Sequence, residues 1–368
     1  MATISEIRNR LAALRKQMQT HQLSAFIVPS TDPHSGEYVP EHWESRKWIS
    51  GFTGSAGTAV ITLEDAGLWT DSRYFIQAEE QLAGTGIRLF KDRLPETPSI
   101  TEWLGSILKK GDKVGIDGWV NSHQEASGIQ QELKTYGVEL ETMTQDIFDA
   151  IWENRPGLPQ TPVFILDETR TGTSCTDKIS RIQEAIAKNG ASAIILSALD
   201  EIAWTLNLRG DDVHCNPVFI SYLLISKEGH TLYILEEKIT EEVRQYLNLH
   251  HVEIKSYSAL AEDLRTFEES HQGILQISPL ANEALYNLSA QYADTIVQAS
   301  PVALMKAVKN ESEQAGFRKA MERDGVALVK FLRWLKEAVA AGNETELSVD
   351  KKLYELRAEQ TDFMGISF

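Results

Sequence analysis

The sequence predicts an α/β protein in which one helix–strand–loop–strand–strand–helix unit is used twice. Two apolar strands carry the prediction: Ala25-Phe26-Ile27-Val28 and Ala193-Ile194-Ile195-Leu196 each follow an amphipathic helix, and an aspartate follows each at the same spacing, Asp32 and Asp200. A proline-rich stretch lies between the two units. Glu153 to Pro162 holds three prolines, which fix φ and interrupt both helix and sheet, so a linker belongs there.

The first helix is expected from Ser5 to His21, with Ser5 as its cap. Leu11, Leu14 and Met18 mark one face, with Ile4 and Ile7 just before. After the strand 25–28 comes a polar loop, Pro29 to Pro40. Strands follow at Thr58–Leu63 and Gly67–Thr70, a helix begins near Ser72, and a further strand covers Lys113–Asp117. In the second unit a helix spans Asp177–Lys188 and stops at Asn189-Gly190, a suitable C-cap pair. The acids of Asp200-Glu201 favour a helix N-terminus there. Strands are expected at Val218–Ile225 and Thr231–Leu235.

A third segment starts near Val302. Lys309-Asn310-Glu311-Ser312-Glu313 opens a long helix with a stripe of Phe317, Met321, Leu328, Leu332, Leu335 and Val339, and Gly342-Asn343 stops it. A second helix covers Ser348–Gln360, and Phe363–Phe368 reads as a buried strand. Two helices and one strand cannot bury both their faces, so this segment needs a further partner. The boundaries that follow are 1–155, 156–305 and 306–368.

The net charge of −17 disfavours nucleic acid and anionic membranes, which require a basic surface, and mildly favours cationic partners such as peptide amino termini. Cys175 and Cys215 are too few and too far apart for a disulfide framework or a zinc knuckle, and read as reduced packing residues. Residues 1–15 are charged and lack the apolar core of a secretory signal, and no run of apolar residues is long enough for a membrane span. These features together suggest a cytoplasmic protein.

Few segments carry chemistry. Gly51-Phe52-Thr53-Gly54-Ser55-Ala56-Gly57 lacks the lysine and the following helix of a phosphate loop, so its glycines are expected to serve turns and close packing. Asp71-Ser72-Arg73 sits at a strand-to-helix turn. Asp71 or Ser72 can cap the helix, which puts Arg73 in the first turn, against the helix dipole. A cation placed there suggests another task, such as holding a carboxylate, against the alternative of a structural salt bridge. Asp32-Pro33-His34, with Glu37, Tyr38 and His42 nearby, could hold a metal or simply hydrogen-bond its own loop. Asp211 to Pro217 is explained by turn chemistry, and His250-His251 is a loop pair.

Taken with Leu199-Asp200-Glu201-Ile202-Ala203-Trp204, Asn207-Leu208-Arg209-Gly210, Asn216-Pro217-Val218-Phe219 and Lys306-Ala307-Val308-Lys309-Asn310, these motifs resemble the long, three-domain form of the Xaa-Pro aminopeptidase (aminopeptidase P) family. The resemblance runs along essentially the whole chain, in order. It implies two creatinase-type N-terminal domains, each a mixed sheet flanked by helices, then the opening of a pita-bread catalytic domain. It also implies a dimer, peptides with proline second as substrates, and two divalent ions, manganese in the family, bound by Asp, His and Glu side chains. Such ions generate a hydroxide nucleophile and stabilise the oxyanion. No residue of this sequence matches a metal-ligand position. The expectation is therefore that the ligands follow Phe368, that the chain is cut at the start of the catalytic domain, and that it is inactive alone. Arg73 is the candidate to face the substrate cleft, with Asp71, Asp32 and His34 as further candidates. A peptide- or protein-binding module that has lost its metals is the alternative. The tandem repeat disfavours prolidase or creatinase, which carry one such domain.

Overall fold

A computed structural model describes residues 2–267 and 273–367. The first sheet contains β1 (Ala25–Val28), β2 (Thr58–Thr62), β3 (Ala66–Thr70), β4 (Arg88–Lys91), β5 (Lys113–Asp117) and β6 (Glu139–Met143). Its order is β4-β3-β2-β1-β5-β6. After β7 (Phe164–Ile165), the second half adds β8 (Ala191–Leu196), β9 (Leu208–Arg209), β10 (Ser221–Ser226), β11 (His230–Ile234), β12 (Val252–Ser256), β13 (Ile274–Ile277) and β14 (Thr295–Val297). The second sheet runs β12-β11-β10-β8-β13-β14, the same order position for position. The senses also agree. Two antiparallel pairings sit at the centre, β1–β2–β3 and β8–β10–β11, and every outer pairing is parallel. The repeated unit expected from the sequence is therefore a repeated sheet.

Helices cover both faces of each sheet, as apolar central strands require. The first helix runs Ile4–Thr20 and buries Ile7, Leu11, Leu14 and Met18, while Ile4 stays exposed. Each such side chain contributes about 1.5–3 kcal/mol on leaving water. Its cap is Thr3, not Ser5. Thr3 Oγ1 accepts from the Glu6 amide and Glu6 reaches back to the Thr3 amide, a reciprocal box that Ser5 has no acid in place to complete.

Two expectations are corrected. The helix after β3 is Phe75–Leu82, so Asp71 and Ser72 do not cap it and Arg73 precedes it rather than opposing its dipole. Asp200 and Glu201 do open a helix, Leu199–Leu206, as their charge favours, whereas Asp32 at the same spacing lies in a loop. Residues 363–367 form no strand: among the described residues no strand pairs with them, and the Phe363 ring packs edge-on against Tyr354. An extended segment without a ladder leaves its backbone groups to water.

The stretch 153–162 is irregular, as its prolines dictate. The long helix is Glu311–Ala341, opened by an Asn310/Glu313 capping box and closed by left-handed Gly342. It pairs with the helix Glu346–Ala358 through Ala327, Phe331 and Leu356. The expected stripe is covered at only two of its six positions: Leu328 and Leu335 are half-buried, but Phe317, Met321, Leu332 and Val339 are exposed. The shorter helix covers one edge of the stripe only. Among the described residues, no helix is long and apolar enough to cross a membrane.

Candidate functional site

The turn after β3 is built around Asp71. Its Oδ1 accepts from the Arg73 amide at 3.0 Å, closing an Asx turn. The Arg73 guanidinium returns to the same carboxylate as a fork, Nε to Oδ1 at 2.9 Å and Nη2 to Oδ2 at 2.8 Å. That fork holds the Asp71 carboxyl below its ordinary range and raises the guanidinium above its own. The Arg73 side chain remains 63% exposed and lies over the Tyr74 ring, which is fixed by a hydrogen bond between Tyr74 Oη and Ser55 Oγ. Arg73 is thus aimed by its partner, and the rest of its guanidinium faces solvent.

Asp32 and His34 are placed differently. Both are buried, and their loop crosses from the first domain into the second. Asp32 Oδ1 accepts from the His34 and Gly36 amides at 2.8 and 3.2 Å, which ties the loop into a compact turn. The His34 ring then enters the second domain. Nδ1 donates to the Ser197 carbonyl at 2.8 Å, which leaves Nε2 to accept from Tyr257 Oη at 2.9 Å. Burial lowers the His34 pKa, so the ring is the neutral tautomer that this pair of bonds requires. Tyr222 packs against it with centroids 4.6 Å apart. Asn282 donates to both the Tyr222 hydroxyl and the Pro33 carbonyl. Both imidazole nitrogens are engaged, so neither is open to a metal.

A second junction lies beside this one. Ser122, which caps the helix after β5, and Asn282, which caps the helix after β13, pair as an antiparallel bridge. The His123 amide donates to the Ala281 carbonyl and the Glu283 amide to the Asn121 carbonyl, both at 2.8 Å. Equivalent elements of the two domains therefore meet about a local two-fold axis. His123 stacks on Tyr286 and meets Glu283 at 2.7 Å.

The glycine-rich segment serves packing. Gly51 is left-handed at a helix end, and a Cβ on Gly54 would fall 2.3 Å from the Phe52 ring. These glycines let the chain wrap Arg46, a buried guanidinium. It donates to Ser30 Oγ and to the carbonyls of Phe52 and Gly54, and burial pulls its pKa down to about 10. No local pattern marks it, because its partners are two backbone carbonyls and a hydroxyl sixteen residues away.

The Asp211–Pro217 turn hides a buried pair, Asp212 with Lys238, which joins it to the short helical turn after β11. His42 Nδ1 is hydrogen-bonded to the Pro156 carbonyl, and the Arg155 guanidinium to the His42 carbonyl, so this loop pins the linker. His250 is not isolated: it bonds Thr176 Oγ1 at 2.8 Å. Cys175 and Cys215 are free thiols. Among the described residues, no group of three or more His, Cys, Asp or Glu is arranged to hold a metal.

Models of the creatinase/prolidase N-terminal domain match residues 10–151 and again 154–313. The chain is 38% identical to a probable Xaa-Pro aminopeptidase P of Sordaria macrospora, over 98% of this chain and 60% of that protein. It is 37% identical to Xaa-Pro aminopeptidase 1 of Dictyostelium discoideum, over 98% of this chain and 59% of that one. Its fold superposes on an X-prolyl aminopeptidase from Caenorhabditis elegans, described as a cytosolic enzyme with a di-nuclear active site, with a TM-score of 0.92 and 29% identity. That match covers all of this chain and 62% of the other. The chain thus spans about 60% of the length of the curated relatives it matches.

Proposed function

Since the chain belongs to the creatinase/prolidase N-terminal domain family and carries that domain twice, we propose that it is the domain-forming portion of a cytoplasmic Xaa-Pro aminopeptidase. One observation carries this reading: relatives bearing that activity align with 98% of the chain, across both domains and the helices after them. The domains are read as 1–155, 156–305 and 306–368, the last opening a catalytic domain. The substrate is a peptide with proline second, and the enzyme is a homodimer.

The side chains described above do not fit a two-metal centre. Both His34 nitrogens are engaged, the Asp71 carboxylate is taken up by Arg73, and Asp212 is taken up by Lys238. The reading places two divalent ions, manganese by the family's habit, outside the described residues. What these domains contribute is position. Arg73, oriented by Asp71, faces the substrate cleft and receives the distal carboxylate of the peptide. Asp32 and His34 hold the two domains at a fixed angle around that cleft.

The test is an Mn²⁺-supplemented assay on an Xaa-Pro peptide, comparing the 368-residue chain with a chain extended to the full length of its relatives. Release of the first residue by the extended chain alone is expected. In that chain Arg73→Ala should raise KM about tenfold or more with kcat little changed, the mark of lost ground-state binding. Turnover by the 368-residue chain would overturn the placement of the metals, and an extended chain indifferent to proline would overturn the function.

A further inference from the structure

Between the two domains, next to the His34 junction, lies a cavity of about 380 Å³. That is the size of a small-molecule site, in the kind of place such sites occur. Its walls are aromatic, with Trp43 and Trp119 from the first domain and Tyr222 and Tyr257 from the second.

Its charges are unbalanced. Three carboxylates, Asp117, Asp146 and Asp149, line it against one guanidinium, Arg155. Arg155 bonds to Asp146 and Asp149 through Nη1 and to the His42 carbonyl through Nε. Asp117 has no such partner. It ends β5, is 6% exposed, and its side chain has one hydrogen bond among the described residues, from the Trp119 amide to Oδ1 at 2.8 Å. A buried carboxylate with an uncapped oxygen on a cavity wall is costly unless a cation meets it. A divalent metal is a poor match, since it would need a shell of oxygen donors, and two of the three carboxylates are already bonded to Arg155 while much of the remaining wall is rings. Aromatic faces with one free carboxylate suit an ammonium group on an apolar body.

We propose that this interdomain cavity binds a small organic ammonium ion, its charge on Asp117 Oδ2 and its apolar body between the aromatic rings. The site is distinct from the peptidase reading and does not depend on it. The groups facing Asp117 are Asp146, Asp149, Arg155 and His42; His42 is kept neutral by burial. Burial and the neighbouring Asp146 push the free Asp117 carboxyl up to about 7, so the bound ammonium must hold it ionised, and affinity should fall below that pH.

The test is calorimetric titration of the 368-residue chain with benzylammonium chloride, using benzyl alcohol as the neutral isostere. Saturable binding of the ammonium alone is expected at pH 8, weaker at pH 6. Asp117→Asn should weaken it at least about tenfold, with circular dichroism reporting the retained fold. Trp119→Leu leaves the carboxylate in place and should weaken it about threefold, which keeps the proposal testable should the first variant not fold. Equal affinity for the alcohol, indifference to Asp117→Asn or to pH, or no saturable binding at millimolar probe would overturn it.

Discussion

The two sheet domains and the helical segment after them use the same apolar vocabulary and end in opposite states. In the domains, the apolar periodicity is closed by the chain itself. Phe26 is 1% exposed, between the first helix and the sheet. In the helix Glu311–Ala341 the same residue type, Phe317, is 58% exposed. Periodicity alone does not record burial; it records a face, and only a partner decides whether that face is dry.

The largest test of this contrast is Phe26→Ala, which should destabilise the first domain by about 3–5 kcal/mol, read as a fall in the urea midpoint. A shift below about 1 kcal/mol would mean that the sheet core is not the dry one described.

Next comes the pH dependence of the domain junction. The Asp117 pKa is raised to about 7 by burial first and Asp146 second. A raised carboxyl favours folding while it is protonated. Its contribution is complete below the unfolded pKa, near 4, and is lost as pH rises through about 7. Asp117→Asn, which cannot ionise, should match the wild type in stability near pH 4 and exceed it at pH 8, by roughly 2–4 kcal/mol. Parallel melting curves at every pH would refute that sign.

Thr3→Ala should remove the first helix's capping box and lower stability by about 1 kcal/mol, visible as a reduced Tm. Smallest of all, Phe317→Ser should change stability by less than about 0.5 kcal/mol. A loss comparable to that of Phe26→Ala would show that the long helix is covered in solution.

Much of the fold was legible because the strands announce themselves. β1 and β5 lie on their expected residues, and Asn189-Gly190 closes its helix as its chemistry requires. What failed was local reasoning at ends. Ser5 resembles a cap, but Thr3 has the acid three residues on, and the Asx turn at Asp71, which keeps Arg73 out of the helix, leaves no periodic trace. The candidate residues divide by the same rule. Asp71 and Arg73 are neighbours in sequence, so their pairing could be guessed as a salt bridge. His34 meets Ser197, Tyr222 and Tyr257, residues far along the chain, and no spacing encodes that. Asp117 shows in sequence only as the end of a strand, because its cavity needs both domains to exist.

The reciprocal bonds of Ser122 and Asn282, with their flanking amides, resemble the self-complementary contact of a two-fold dimer, yet both sides belong to one chain. A tethered contact faces an effective local concentration in the millimolar range whatever the dilution of the protein. A seam of few hydrogen bonds can then stay closed under conditions where two free copies of the same domains would part. Each side is also encoded separately, so one can differ from its counterpart: Asp32 lies in a loop that carries His34 across from the first domain, whereas Asp200, the aspartate at Asp32's spacing in the second, lies in a helix.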